Sequence, residues 1–300
     1  RQLTFPCADD QLLLPDTTYH LHGSPPCTRL SPMHMRTDAD EIADAVALVR
    51  WFLDLALRKS PKRWSMEQVA NPRVVGLLDA LRRTNRNVDY VVIDFADLQL
   101  PQHRRRLIAG PPWLVDNLRA FQSPARRVPV GRVLPTMPAH AKYIRNSLVN
   151  YTTGPRSGTR MPKRKSMRRV TRPSFTVVAS ISLRWYDKEM RCIRDMTPAE
   201  LKTVQGYPDW YEFPEDVPTR VRVRGVGNSV APSVIALALG KRPPAAPAPR
   251  AGERGACDSG DETDNDAEDP EVGELAQNAA VDVGVLDLAE GLRRGSPSLR

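Results

Sequence analysis

Residues 17–27 read Thr-Thr-Tyr-His-Leu-His-Gly-Ser-Pro-Pro-Cys. The first six predict a short strand, and the glycine, serine and two prolines after them predict a stiff loop that fixes the direction of the Cys27 thiol. The elements downstream of this loop decide the fold class. Asp38 stands at an N-cap with Glu41 three places on as a capping-box partner, and Ile42, Ala45, Val46, Val49, Leu53 and Ala56 recur at helical spacing, so a helix over 39–58 is expected. A strand over Trp64–Val69, a helix near Arg73–Arg83 and a buried strand over Val88–Phe95 continue the alternation. Strands and helices alternating at this length predict a mostly parallel α/β sheet.

Helical and strand periodicity lapses from 111 to 171. That stretch holds 13 lysines and arginines against one acid, Asp116, a net of +12, with Trp113, Phe121, Tyr143 and Tyr151 interleaved. Periodicity returns as a strand over Ser174–Ser182. Thr197-Pro198-Ala199-Glu200 is a capping box with proline at the first helical position, opening a short helix to about Val204. A last helix over Ala231–Leu239 ends at Gly240. Lys241–Arg250 has a linker's proline and alanine content, and 251–279 reads as an acidic disordered segment.

Charge narrows the partner. The net of +9 divides into +18 over residues 1–250 and −9 over 251–300, which points to a polyanion as the body's ligand. No apolar run approaches the roughly 20 residues of a spanning helix. Four scattered cysteines exclude a disulfide framework, and no pair has zinc-ligand spacing. With no signal peptide, an intracellular, reducing location is expected.

Five short segments carry candidate chemistry. Ser24-Pro25-Pro26-Cys27 lies past a strand's carboxyl end, where α/β sheets present ligands, among basic residues that favour a reactive thiolate. Met66-Glu67-Gln68-Val69 sets a carboxylate at the end of the next strand. Gln102, Arg104 and Arg106 alternate and would face one way in an extended segment. Arg172-Pro173-Ser174-Phe175-Thr176 opens the later strand, and Gly227-Asn228-Ser229-Val230 stands at a helix start, with Asn228 as its N-cap. Singly, each has an ordinary reading: a buried thiol, a solvated carboxylate, a basic turn, a strand-shaping threonine, a helix cap.

Taken in order, Pro-Pro-Cys, Glu-x-Val, Gln-x-Arg-x-Arg, Arg-Pro-x-x-Thr and Gly-Asn-Ser-Val resemble the motifs of the DNA (cytosine-5)-methyltransferase family, over roughly residues 9–240 with a gap at 111–171. The segment Met196–Glu200 through Gln205-Gly206-Tyr207-Pro208 is similar to the family's approach to its last motif. The resemblance implies a Rossmann-like S-adenosylmethionine-dependent methyltransferase sheet with a small inserted target recognition region. It divides the chain into 1–110 (catalytic, without the family's amino-terminal part), 111–171 (basic recognition region), 172–240 (return to the catalytic domain) and 241–300 (linker and acidic tail).

It also implies roles. Cys27 attacks carbon 6 of a cytosine flipped out of double-stranded DNA, Glu67 holds or protonates ring nitrogen 3, and Arg104 and Arg106 bind the exocyclic oxygen. Asp9 or Asp10, Pro25, Asn228, Ser229 and Val230 are expected at the cofactor. Gln102, Arg126, Arg127, Lys163, Arg164, Lys165, Arg168, Arg169 and Thr176 are expected at DNA. No metal is required, and the expected unit is a monomer. Gln68 stands where the family carries asparagine, and Thr28 and Leu30 replace glutamine and phenylalanine. The family's Phe-x-Gly-x-Gly cofactor loop has no match, and residues 1–22 contain no glycine, so its first strands are expected to be missing here. The rival readings are an inactive DNA-binding remnant and a tRNA cytosine-5 methyltransferase, whose Cys-Phe-Thr segment does not occur.

Overall fold

Strand β1 (His20–Gly23) opens the part of the chain that the computed structural model describes, which comprises residues 19–31, 38–146, 167–179 and 183–241. Asp9, Asp10, Lys163, Arg164, Lys165, Tyr151 and the segment from 242 on lie outside it. Helix α1 (Ala39–Lys59) begins at Asp38, whose side chain accepts from the Glu41 amide. The reciprocal half of the expected capping box is replaced, because the Glu41 carboxylate pairs with Arg29 at 2.6 Å. Strand β2 (Arg63–Gln68), helix α2 (Pro72–Thr84), capped by Asn71, and strand β3 (Asp89–Asp94) come next, as the pattern predicts.

The chain then departs from a parallel wind. Strand β4 (Arg105–Gly110) inserts between β2 and β3 to give the order β1-β2-β4-β3, and pairs antiparallel with both neighbours. β1, β2 and β3 thus run in one direction, but β1 and β2 are the only described strands that pair in parallel. The reason is length. A parallel crossover needs about a dozen residues or more, and the connection 95–104 is too short for one.

Both faces of this sheet are covered, as in α/β architectures. Trp64, Met66, Leu107 and Ala109 pack against Val49, Phe52, Leu53, Val74 and Leu78 of α1 and α2. Ile93 and Ile108 look the other way, onto helices α3 (Pro112–Phe121) and α7 (Pro232–Ala238). Helix α3 corrects the reading that periodicity lapses at 111: Leu114, Val115 and Leu118 are buried at helical spacing, behind a proline at the first helical position. Gly23 is required where β1 meets α1, since a β-carbon there would lie 2.2 Å from the Phe52 ring.

A second, antiparallel sheet has the order β6-β5-β7-β8, built from β5 (Tyr143–Asn146), β6 (Arg168–Arg169), β7 (Leu183–Tyr186) and β8 (Cys192–Asp195). Its core joins Ile144, Leu183 and Trp185 to Leu201 and Val204 of α5 (Pro198–Val204) and Val226 of α6 (Thr219–Asn228), with Val130 of the short α4 (Val130–Val133). The capping box of α5 is present in both halves. Between α5 and α6, Lys202 donates to the Asp209 and Tyr211 carbonyls.

The strand expected over Ser174–Ser182 is corrected for its described part. Ser174 makes one bridge to Gln102, and no ladder continues through 179. Side chains meet this backbone instead: Val177 N–H donates to Gln102 Oε1, and Val177 C=O accepts from Arg104 Nη1.

Candidate active site

The Pro-Pro-Cys loop is fastened to the end of β2. Ser24 Oγ donates to Glu67 Oε2 at 3.0 Å, and Gln68 Nε2 donates to the Pro25 carbonyl at 3.0 Å. Gln68 is wholly buried, and its Oε1 also accepts from the Val69 amide. Cys27 is exposed, a free thiol at the head of a 3-10 turn, Thr28–Leu30. The turn is closed by Leu30 N–H donating to the Cys27 carbonyl and pinned by Asn71 Nδ2 on the Leu30 carbonyl. The loop therefore presents its thiol from a backbone held at several points.

Glu67 is buried, at 5% exposure. Its Oε2 is engaged by Ser24. Its Oε1 has no aligned hydrogen-bond donor among the described residues, although Arg106 Nε lies 3.1 Å and Arg104 Nη2 3.9 Å away. Arg104 is buried too, donating from Nη1 to the Val177 carbonyl and from Nη2 to the Ser229 carbonyl, with no acceptor for Nε among the described residues. Burial brings the Arg104 pKa down to about 10, with the like charge of Arg106 adding to the fall, while Glu67 and a Cys27 thiolate act to hold its proton. At neutral pH it remains a cation. Arg106, half-buried, turns Nη1 to the Arg105 carbonyl. The result is a buried carboxylate with one oxygen open to a donor, two guanidiniums beside it, and an exposed thiol on the loop that Ser24 ties to it.

Several residues expected at DNA or the cofactor have partners within the protein. Gln102 is wholly buried, donating to the Val204 carbonyl and Gln205 Oε1 and accepting from Val177 N–H, so it is a clamp between segments and does not reach DNA. Arg127 is committed to the buried Asp97 carboxylate at 2.7 Å. Thr176 Oγ1 donates to the His103 carbonyl at 2.6 Å. Ser229, expected at the cofactor, has its carbonyl taken by Arg104 and Gln205 and its hydroxyl by the Val226 carbonyl. Asn228 closes α6 instead of capping the next helix, whose N-cap is Ala231. Arg126 and Arg169 are exposed, and Arg168 stacks on Phe175 at 4.4 Å while reaching the Ser174 carbonyl.

Ser24, Gln68, Val177 and Gln205 hold the site together, and the motif pattern does not assign them to it. Ser24 sits inside the quoted loop, and Gln68 is visible as a departure from the family pattern. Val177 and Gln205 act through contacts with positions about 75 and 100 residues away, for which sequence offers no signal.

For S-adenosylmethionine the described candidates are a partial fit. Asn228 is exposed, and Pro25 and Val230 are half-buried, which offers one polar side chain and some apolar surface. No group of three His, Cys, Asp or Glu among the described residues could hold a metal ion, and none of their helices is long and apolar enough to cross a membrane.

Comparison with known proteins gives one family. Residues 131–241 match the model of the C-5 cytosine-specific DNA methylases. Among solved structures the chain is similar to the Dnmt2 methyltransferase of S. pombe, at 16% identity over 74% of this chain and 76% of that one, TM-score 0.47. A methyltransferase encoded within a prophage of E. coli is similar at 18% identity over 74% and 78%, TM-score 0.46. No curated protein matches the chain.

Proposed function

We infer that this chain, whose residues 131–241 match the C-5 cytosine-specific DNA methylases, methylates carbon 5 of cytosine in double-stranded DNA through a covalent bond to Cys27. The observation that carries the reading is the meeting of Ser24, Glu67, Arg104 and Arg106 beside the Cys27 loop, from segments about 40 residues apart in sequence. A cytosine lifted from its stack meets Cys27, whose thiolate adds to carbon 6. As that bond forms, negative charge moves toward ring nitrogen 3. Glu67 Oε1, the oxygen without an aligned donor, holds or supplies the proton there. Arg106 steadies the carboxylate and the exocyclic oxygen, and Arg104 fixes the floor by tying Glu67's surroundings to Val177 and Ser229. Pro25, Asn228 and Val230 would hold S-adenosylmethionine, which when bound would supply the electrophilic methyl group for carbon 5. Loss of the carbon 5 proton to a base, as the bond from Cys27 to carbon 6 breaks and the thiolate leaves, restores the aromatic ring.

The +12 charge of 111–171 suits a nucleic acid, and the match of residues 131–241 to the C-5 cytosine-specific DNA methylases favours duplex DNA as substrate. The catalytic unit is a monomer in this reading. The test incubates the full chain and S-adenosylmethionine with a 5-fluorocytosine duplex and, in parallel, with 5-fluorocytosine tRNA. An adduct with the duplex that survives denaturation, and is lost in Cys27→Ser, is expected. An adduct with tRNA alone moves the substrate to RNA, and no adduct with either removes the enzyme reading.

A further inference from the structure

The face of the first sheet that carries Glu67 also carries three side chains that the proposed chemistry leaves unused. Leu21, Trp64 and Met66 pack toward α1 and α2, so the alternate residues His20, His22, Ser65 and Glu67 stand on the opposite face. Register sets His22 opposite Ser65, and the Ser24–Glu67 hydrogen bond extends the same row by one step. Strands covered on both faces read as near-continuous apolar runs. Here β1 and β2 place two imidazoles and a hydroxyl instead.

Ser65 is wholly buried, and its hydroxyl joins the two rings, with His20 Nε2 2.9 Å and His22 Nδ1 2.8 Å from Oγ. A hydroxyl has one proton, so Ser65 donates to one ring and accepts from the other. The group can gain one proton and keep both bonds, the charged ring donating to Ser65 and Ser65 donating to the neutral ring. A second proton would set two donors on Oγ, leave the Ser65 proton no ring to accept it, and place two cations at a ring separation of 6.3 Å. The pair therefore shares one proton. Partial burial of each ring holds both pKa values below the ordinary 6.5. The charged groups acting on the pair among the described residues are Arg63 and Glu67, and they act at opposite ends. Arg63 lowers His20 further; His20 lowers His22, while Glu67 acts to raise it. The shared proton is thus biased toward His22, the exposed ring on the Glu67 side.

We propose that His22 supplies the proton that replaces the one Glu67 gives to the cytosine ring, by way of Ser24, with Ser65 and His20 holding the His22 ring. The inference rests on the proposed cytosine methylation and deepens it. Glu67 is buried, and its Oε2 is bonded to Ser24. Ser24 and His22 lie two places apart on one face, about 6.6 Å along the chain, a gap that the imidazole and one water molecule span. As the Cys27 thiolate adds to carbon 6, Oε1 gives a proton to ring nitrogen 3 and Oε2 takes the Ser24 hydroxyl proton. Ser24 takes one from the water, and the water takes one from His22. The carboxyl gives one proton as it gains another. When Cys27 leaves, nitrogen 3 returns its proton to Oε1 and the same steps run backward, so His22 recovers its own.

The test follows the rate of adduct formation between the full chain and a 5-fluorocytosine duplex with S-adenosylmethionine, across a pH series and with or without free imidazole. Wild type is compared with His22→Ala and His22→Gln. Both variants are expected to be slower by about a hundredfold, with pH profiles that no longer follow wild type. Imidazole is expected to restore the rate of His22→Ala and to leave wild type unchanged. A wild-type rate in either variant overturns the proposal while leaving the enzyme reading intact. A slowed His22→Ala that imidazole does not restore overturns it too, since a purely structural loss gives that result. If His22→Ala fails to fold, His22→Gln, which keeps a partner for Ser65, decides: a slowed rate with a profile parallel to wild type overturns the proposal. Histidine titration by NMR reads the coupling without turnover. In Glu67→Gln the His22 midpoint is expected to fall, and an unmoved midpoint overturns the proposal. A wild-type chain that forms no adduct overturns both readings.

Discussion

Replacing Glu200 with glutamine exchanges one carboxylate oxygen for a donor at a place where five donors converge. Oε1 accepts from Thr136 Oγ1 and Arg194 Nη2, and Oε2 from Arg194 Nη1, the Thr197 amide and Trp185 Nε1. Whichever oxygen becomes NH2, at least two donors face it. The least damaging orientation puts the amide nitrogen beside Thr136, whose hydroxyl can turn to accept. It still loses one Arg194 bond and the charge of the pair. Hydrogen bonds to charged groups contribute about 1.5–3 kcal/mol, and breaking a buried pair costs about 3–5 kcal/mol. Glu200 is 2% exposed but the Arg194 side chain is 35% exposed, which solvent screening discounts, so about 3 kcal/mol is expected.

The pH dependence gives a second readout. Burial raises the Glu200 pKa, but Arg194, the Thr197 amide and Trp185 outweigh it and hold it below the ordinary 4.5. A carboxyl depressed in the folded state contributes stability that is present above its unfolded pKa and is lost as pH falls through the folded one. Wild type should therefore lose this contribution on acidification below about 4.5, and the variant should lack that part of the slope. Urea unfolding monitored by tryptophan fluorescence measures both. A loss under about 1 kcal/mol, or an unaltered acid slope, would refute the convergence argument.

Other substitutions test the frame of the candidate site. Gly227→Ala would place a β-carbon 2.3 Å from the Ala179 nitrogen and the Val178 carbonyl carbon, both backbone, so α6 must shift. A loss of about 2 kcal/mol or more is expected by thermal unfolding, and a neutral result would contradict the close approach. Gln68→Ala removes the tether from β2 to the Pro25 carbonyl and strands buried polar groups, so about 1–3 kcal/mol of stability should go. Its rate of adduct formation with a 5-fluorocytosine duplex should fall further than that of a surface variant of equal Tm; equal rates would show that the loop does not depend on this tether.

Much of this protein is legible in its sequence. The 3.6 period marks α1 and α2, because each buries one face, while β1, β2 and β3 are marked as short strand-forming runs between them, in a sheet covered on both faces. The capping box at Thr197 is readable because it satisfies local donors with local side chains. Cys27 and Glu67 can be named as chemistry because each lies just past or at the end of a strand. Three matters depend on tertiary structure. The turn of β4 back between β2 and β3 reverses pairing direction, which short apolar strands do not encode. The partners of Gln102 and Arg104 lie 73–125 residues away, so whether such a residue binds a ligand or clamps the fold is decided by what it meets. And the basic run from 111 to 171 registers charge but not direction: Arg127 and Arg145 look alike in sequence, while one is neutralised by Asp97 and the other is buried without an acid among the described residues. Local periodicity determines elements because it acts over one or two turns of chain. Burial and pairing of charge are properties of three-dimensional neighbours, and only the folded chain supplies those.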